Sequence, residues 1–425
     1  MRKSLKEISS YYFERFGYDS PPLASSVKPK TGMIVVIPVY NEPAITDVLN
    51  SLKECTKPEH AVEVILVINN SESAAQDVQL QNLNSITEVE RWLHINESNH
   101  LHVELKVEMA LPDRIAGVGL ARKIGMDEAL RRFASIDYNG LIVCLDADCT
   151  VEANYLTELE LHFAHEDFIS GNIHYEHKWE NEDDQIKSGI IQYELGLRYY
   201  VNALRFAGYP YAYHTIGSNM AVSAKTYALA GGMNKRKAGE DFYFLHKLIP
   251  LGNFEELTSS TVYPSSRISE RVPFGTGRAM LKWKDHIMDE SNGKMESYSI
   301  NTFMDLKEFI DVIPLLQACS EAEKYEELIK ALPDSMQTFL KAEDFHKILI
   351  GCIKQASSKE TYLKRVFAWL DGFRVLKFIH FARDRFYPNV HIEECSLTLL
   401  NKLGKHSKTD SMSLLSTYRA LDKTR

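Results

Sequence analysis

The stretch at residues 141–149, LIVCLDADC, limits what this chain can fold into more than any other. Its first five residues are apolar and partly β-branched, which suits a strand buried on both faces of a parallel sheet. Asp146 and Asp148 come immediately after. Carboxylates straight after a buried strand stand at the sheet's C-terminal edge, where open α/β sheets bind ligands. Alternate residues point the same way, so both acids can converge on one hard cation. The same pattern also serves a solvated turn in which an Asp caps the next helix. Asp-Ala-Asp therefore needs support from elsewhere in the chain.

Part of that support is the order of apolar runs. Residues 33–37 (MIVVI), 63–68 (EVILVI) and 103–107 read as strands, and residues 45–55 and 117–133 read as helices. Strand and helix alternate, which implies right-handed crossovers and a mostly parallel sheet covered on both faces. Residues 72–100 are polar and read as a loop-rich insertion with a helix around 89–93. Before the first strand, Leu5, Ile8, Tyr12 and Phe16 recur at helical spacing, and Pro21, Pro22 and Pro29 then keep the chain from continuing as a helix. After Ile300 the periodicity is helical and strand-like runs are absent.

At 425 residues the chain exceeds what one core usually organises. We expect an N-terminal helix and loop over 1–30, an α/β domain over 31–280 and a mainly helical region over 281–425. In that last region Phe367, Leu370, Phe373, Leu376 and Phe378 form a stripe that reads as core. Interleaved Arg365, Arg374, Lys377 and Arg383 make a helix lying on a membrane surface the sharper alternative.

Composition narrows the function. A net charge of −9 argues against a nucleic-acid partner. No run approaches the ~20 apolar residues that cross a bilayer, and the N-terminus lacks the apolar core of a signal peptide. The long uncharged stretch 206–224 contains Pro, His, Asn and Gly, and reads as part of a binding site or a packed loop. The six cysteines form no CxxC pair and no Cys/His cluster with zinc spacing. A reducing cytoplasm is the expected location, with contact at the inner membrane surface left open.

Four motifs occur in order: residues 33–42 (MIVVIPVYNE), Asp146-Ala147-Asp148, Gly217-Ser218-Asn219 and Gly239-Glu240-Asp241. Together they resemble the inverting family-2 glycosyltransferases, which have the nucleotide-sugar-binding GT-A fold. The likeness covers residues 31–280. It implies a single sugar moved from a nucleotide diphospho-sugar to an acceptor hydroxyl on a glycan, lipid carrier or small metabolite. It also implies a divalent cation, Mn²⁺ or Mg²⁺, at Asp148 and Asp146, to neutralise charge that builds on the departing diphosphate.

By the same resemblance Pro38, Tyr40 and Glu42 line the nucleotide, with Asp146 and Ala147 beside it. Asn69 stands where many members carry an acid against the base, so the nucleotide stays open. Arg122, in GLARKIG, resembles a segment that reaches the nucleotide, although a solvated cationic face explains Arg122-Lys123 equally well. Gly217, Ser218 and Asn219 lie beneath the sugar, with His214 as a further sugar or acceptor contact. Asp241 is the expected catalytic base, and Glu240, the second expected catalytic-site residue, orients neighbours or contacts the acceptor. Arg267, Arg271 and Arg278 crowd a glycine-containing loop, where Arg271 is the expected phosphate contact. The Gln-x-x-Arg-Trp pattern of polymer-forming members is absent.

Two other classes compete. A nucleotidyltransferase that makes an activated sugar should carry a Gly-rich basic loop after the first strand, where this chain has PVYNE. A catalytically inactive module that binds a glycan or a partner would not need Asp146, Asp148 and Asp241 together.

Overall fold

The computed structural model describes residues 3–96, 100–163, 165, 167–180, 182–269, 275–288, 294–318 and 322–424. The chain divides into two compact units. One comprises Met1–Ile186, Thr215–Lys282 and Asp422–Arg425; the other comprises Lys187–His214 and Trp283–Leu421.

The first unit is built on a sheet whose strands are β1 (Thr31–Val39), β2 (Ala61–Ser71), β3 (Leu101–Leu111), β4 (Leu141–Cys144), β5 (Thr150–Val151), β6 (Ser170–Tyr175), β7 (Met220–Ser223) and β8 (Phe254–Tyr263). Among the described residues their order is β3-β2-β1-β4-β7-β6-β8-β5. The β3-β2-β1-β4 half is parallel, β7 runs antiparallel to both its neighbours, and β6 and β8 are parallel. The expected class, a mostly parallel α/β sheet flanked by helices and followed by a helical C-terminal region, is what the structure shows.

Nearly every residue of β1, β2 and β4 is buried, as unbroken apolar runs require when helices cover both faces. The helices of this unit are α1 (Leu5–Arg15), α2 (Ile45–Lys53), α3 (Gln76–Ile95), α4 (Val118–Ser135) and α5 (Tyr155–Phe163). Helix α6 (Asp184–Phe206) begins here, and α7 (Ala224–Leu229) and α8 (Glu240–Leu248) complete the set.

One expectation is corrected. Residues 72–100 are not a loop-rich insertion, because most of them form the single helix α3. Its buried residues, Val78, Asn82, Ser85, Val89 and Trp92, recur at helical spacing. Two of the five are polar, which hid the period from a reading based on apolar residues.

Among the described residues the second unit is helical apart from a short strand pair. Residues 187–214, which the sequence pattern placed within 31–280, group here. Tyr199 of α6 packs edge-on against Phe303 at 5.8 Å. Buried Glu194 accepts hydrogen bonds at 2.8 Å from both Arg198 and Arg419. In the aromatic stripe, Leu370 and Phe378 are buried and the other three are half-buried. The stripe is also split between helices Lys359–Trp369 and Gly372–Arg385, with Asp371 capping the second. That matches core packing and breaks the continuous face a surface-lying helix needs. No helix among the described residues is long and apolar enough to cross a membrane.

Candidate functional site

The site lies in the first unit, beyond the C-terminal ends of β1 and β4. Strand β1 ends in a sharp turn. Asn41 takes a left-handed conformation with φ of 51°, which Asn tolerates better than most residues. Its N–H donates to the Asn82 side chain at 2.9 Å. Gln81 and Ser85 donate to the Glu42 carbonyl, each at 3.0 Å. Helix α3 thus holds the PVYNE turn, a role no sequence motif announced. The only trace was the helical spacing of its polar residues.

The buried Glu42 carboxylate accepts two bonds from the Arg267 guanidinium, at 3.1 and 2.7 Å. Its Oε1 also accepts the Ala44 N–H at 3.0 Å, at the entry to α2. The same guanidinium stands 3.8 Å from the Asp148 carboxylate. Arg267 therefore joins the first strand's end to the Asp-Ala-Asp turn.

A second cation gathers the remaining acids. Arg122, on the second turn of α4, is buried and pairs with both Asp146 and Glu240. Burial opposes its charge, yet Asp146, Glu240 and Asp241 together lift its pKa above the ordinary arginine range. Gly217 is required at the point of contact. A Cβ there would overlap the guanidinium, so a larger residue would displace the hub. Gly239 supplies the other backbone requirement: it caps α8 with φ of 70°, which sets Glu240 and Asp241 in the first helical turn.

Burial raises the pKa of Glu240 above the carboxylate norm, with Arg122 opposing and Asp241 adding to the rise. Burial likewise raises Asp241, Arg122 again opposing and Asp146 adding. The Asp241 carboxylate also accepts the Phe242 N–H at 2.7 Å. One guanidinium faces three acids here, and burial shifts two of them toward the neutral form.

Pro38 is buried in β1 and Tyr40 is exposed just beyond it. Ala147 is buried between the two half-exposed acids. Asn69 is buried, and its amide donates to the Val39 and Val67 carbonyls at 3.0 and 3.3 Å, tying β2 to the end of β1. Gly217, Ser218 and Asn219 form a buried 3₁₀ turn entering β7, with the Asn219 amide donating to the Ile173 carbonyl at 2.7 Å. His214 is buried and belongs to the second unit. Arg271 lies outside the described residues. Arg122 and Lys123 are both buried, so they do not form a solvated cationic face.

Among the described residues no group of three or more His, Cys, Asp or Glu side chains could hold a metal by itself. Asp148 and Asp146 are hard oxygen donors whose side chains remain 32 and 35% exposed. That donor set fits a cation of the Mg²⁺ or Mn²⁺ kind, which takes one or two carboxylates and leaves positions for water and substrate phosphates.

No model of a known protein family matches the chain, and no curated protein matches it. Solved structures do show likeness. S. aureus TarS 1–349 in complex with UDP-GlcNAc is 14% identical, over 79% of this chain and 90% of that one, with a TM-score of 0.40. The same protein with UDP is 13% identical, over 74% and 88%, with a TM-score of 0.39. GalNAc-T7 with UDP, GalNAc and Mn²⁺ is 13% identical, over 72% and 55%, with a TM-score of 0.33. At these scores the likeness adds nothing to the geometry of the site.

Proposed function

We propose that this chain is an inverting, metal-dependent glycosyltransferase of the GT-A kind. It moves one sugar from a nucleotide diphospho-sugar to an acceptor hydroxyl in the synthesis of a glycan or glycoconjugate. The reading is carried by one observation: Arg122 draws Asp146 and Glu240 to one point, beside Asp241, although these acids are far apart in the chain. The four ordered motifs support it independently.

In this reading Asp241 accepts the proton of the acceptor hydroxyl as that oxygen forms its bond to the anomeric carbon. The bond from that carbon to the diphosphate oxygen breaks on the opposite face, and the electron pair leaves with the diphosphate. A raised carboxylate pKa brings the base nearer to neutral pH, which suits it to the transfer. Glu240 keeps Arg122 in place and does not touch the reacting atoms. Asp148, with Asp146, would hold the divalent cation, which supplies neutralising charge to the diphosphate when bound. The Tyr40–Glu42 turn and the β2 end at Asn69 would flank the nucleotide.

A thermal-shift screen tests this. Nucleoside diphosphates and diphospho-sugars, with and without Mn²⁺, should raise the melting temperature, because a ligand that binds only the folded state stabilises it. A metal-dependent rise with at least one diphosphate is the expected result. No response to any of them would overturn the transferase reading.

A further inference from the structure

The contacts of Arg267 are unequal, and the inequality points to a role. Toward Glu42 the guanidinium makes two hydrogen bonds, at 3.1 and 2.7 Å, to a carboxylate only 1% exposed. Toward Asp148 it makes one longer approach, 3.8 Å, on a side where both groups stay about one third exposed. A bidentate pair with a buried acid is strong and geometrically fixed. A single, water-exposed approach is weak and exchangeable. Arg267 is thus anchored on one acid and lent to another.

We propose that Arg267 is a resident counter-cation of Asp148, which a divalent cation must displace. The inference rests on the transferase reading, since it assigns Asp148 to the cation. While Arg267 lies beside Asp148, a cation gains less from that carboxylate, because part of its charge is already neutralised. A cation alone therefore binds weakly. When it arrives with a diphosphate, the guanidinium stays on Glu42 and its outer edge meets the phosphate oxygens. Arg267 consequently makes the cation and the diphosphate bind together and disfavours the cation alone. Glu42 is then the anchor of this device, a role different from the nucleotide contact expected from the motif.

The test uses the full chain and two probes: Mn²⁺ alone, tracked by paramagnetic resonance of the free ion, and inorganic pyrophosphate without metal, tracked by calorimetry. Arg267→Gln should bind Mn²⁺ about three- to tenfold more tightly than the native protein and pyrophosphate several-fold more weakly. A side chain that merely supported the fold would weaken both or neither. Arg267→Lys is the second variant, chosen because it keeps the charge beside buried Glu42. A point charge cannot fork onto Glu42 and also reach Asp148, so Mn²⁺ affinity should rise here too. Unchanged or weaker Mn²⁺ binding in a folded variant overturns the proposal. Asp148→Asn separates the two ideas. If it abolishes Mn²⁺ binding while the Arg267 variants match the native protein, only the counter-ion role falls. If the native protein binds no Mn²⁺ even with pyrophosphate present, the metal-dependent reading falls and this inference falls with it.

Discussion

Two adjacent cations on α4 lead different lives. Lys123 faces a matched set of partners. It stands 3.1 Å from Asp127 and donates to the Tyr12 hydroxyl at 2.9 Å. Tyr12 and Tyr227 each donate to Asp127 at 2.6 Å, and the Tyr18 N–H donates at 2.9 Å. One positive charge meets one negative charge, and phenols and a backbone amide fill the remaining positions. That network ties α1 and α7 to α4. Arg122, one residue earlier, faces Asp146, Glu240 and Asp241. A buried group with a balanced set of partners holds elements together. A buried group outnumbered by acids leaves some of them unmatched, and unmatched buried acids with raised pKa values are the mark of a functional site.

The sharpest way to break this comparison is at Asp241. Asp241→Asn should lower transfer by about 10²–10⁴-fold, the range of a lost general base, while donor binding persists. Measured turnover at the native rate would remove Asp241 from the base role. Next in size is Arg122→Met, which leaves acids withdrawn from water without their cation. It should cost about 3–5 kcal/mol of stability in chemical denaturation and weaken donor binding. The matched network predicts the contrary for a double exchange. Lys123→Met with Asp127→Asn removes both charges at once while the Asn side chain keeps an acceptor for the two phenols, and should come within about 1–2 kcal/mol of native stability, with transfer retained. If the two substitutions behave alike, the contrast between the networks is wrong.

Gly217→Ala comes third. Its Cβ would overlap the guanidinium, so a loss of about 1–3 kcal/mol is expected, together with weaker nucleotide binding. The smallest effect is on pH dependence. Asp241 and Glu240 have folded pKa values raised above the unfolded ones. The folded state then binds more protons, so stability falls as pH rises from the ordinary carboxylate range through the raised values. Asp241→Asn should flatten part of that slope and leave the variant as stable as the native protein or slightly more so at pH 7. Transfer should show the opposite trend, failing as pH drops through the raised Asp241 value. Melting temperatures and rates across pH 4 to 8 check both signs.

Much of the sheet was legible because burial on both faces leaves unbroken apolar runs, as in β1, β2 and β4. Helix α3 was not. Its buried face includes Asn82 and Ser85, which are there to bind the turn at Asn41 and Glu42, so apolar periodicity faded where function entered. The assignment of residues 187–214 to the second unit was equally silent, since an amphipathic helix does not record which core it joins. Among the site residues, the acids could be found through ordered motifs. Arg267 could not be told from its neighbours Arg271 and Arg278, because all three sit in one polar stretch.

The sequence alone determined the buried strands β1, β2 and β4, the helices α2 and α4, and that Asp146 and Asp148 would come directly after a buried strand. Local periodicity and strand-end chemistry act over a few residues and need no partner. Tertiary structure decided which cation serves which acid. Arg122 meets Glu240 across 118 residues, and Arg267 meets Glu42 across 225. Such pairings depend on where distant loops close in space, and no short-range pattern carries that information.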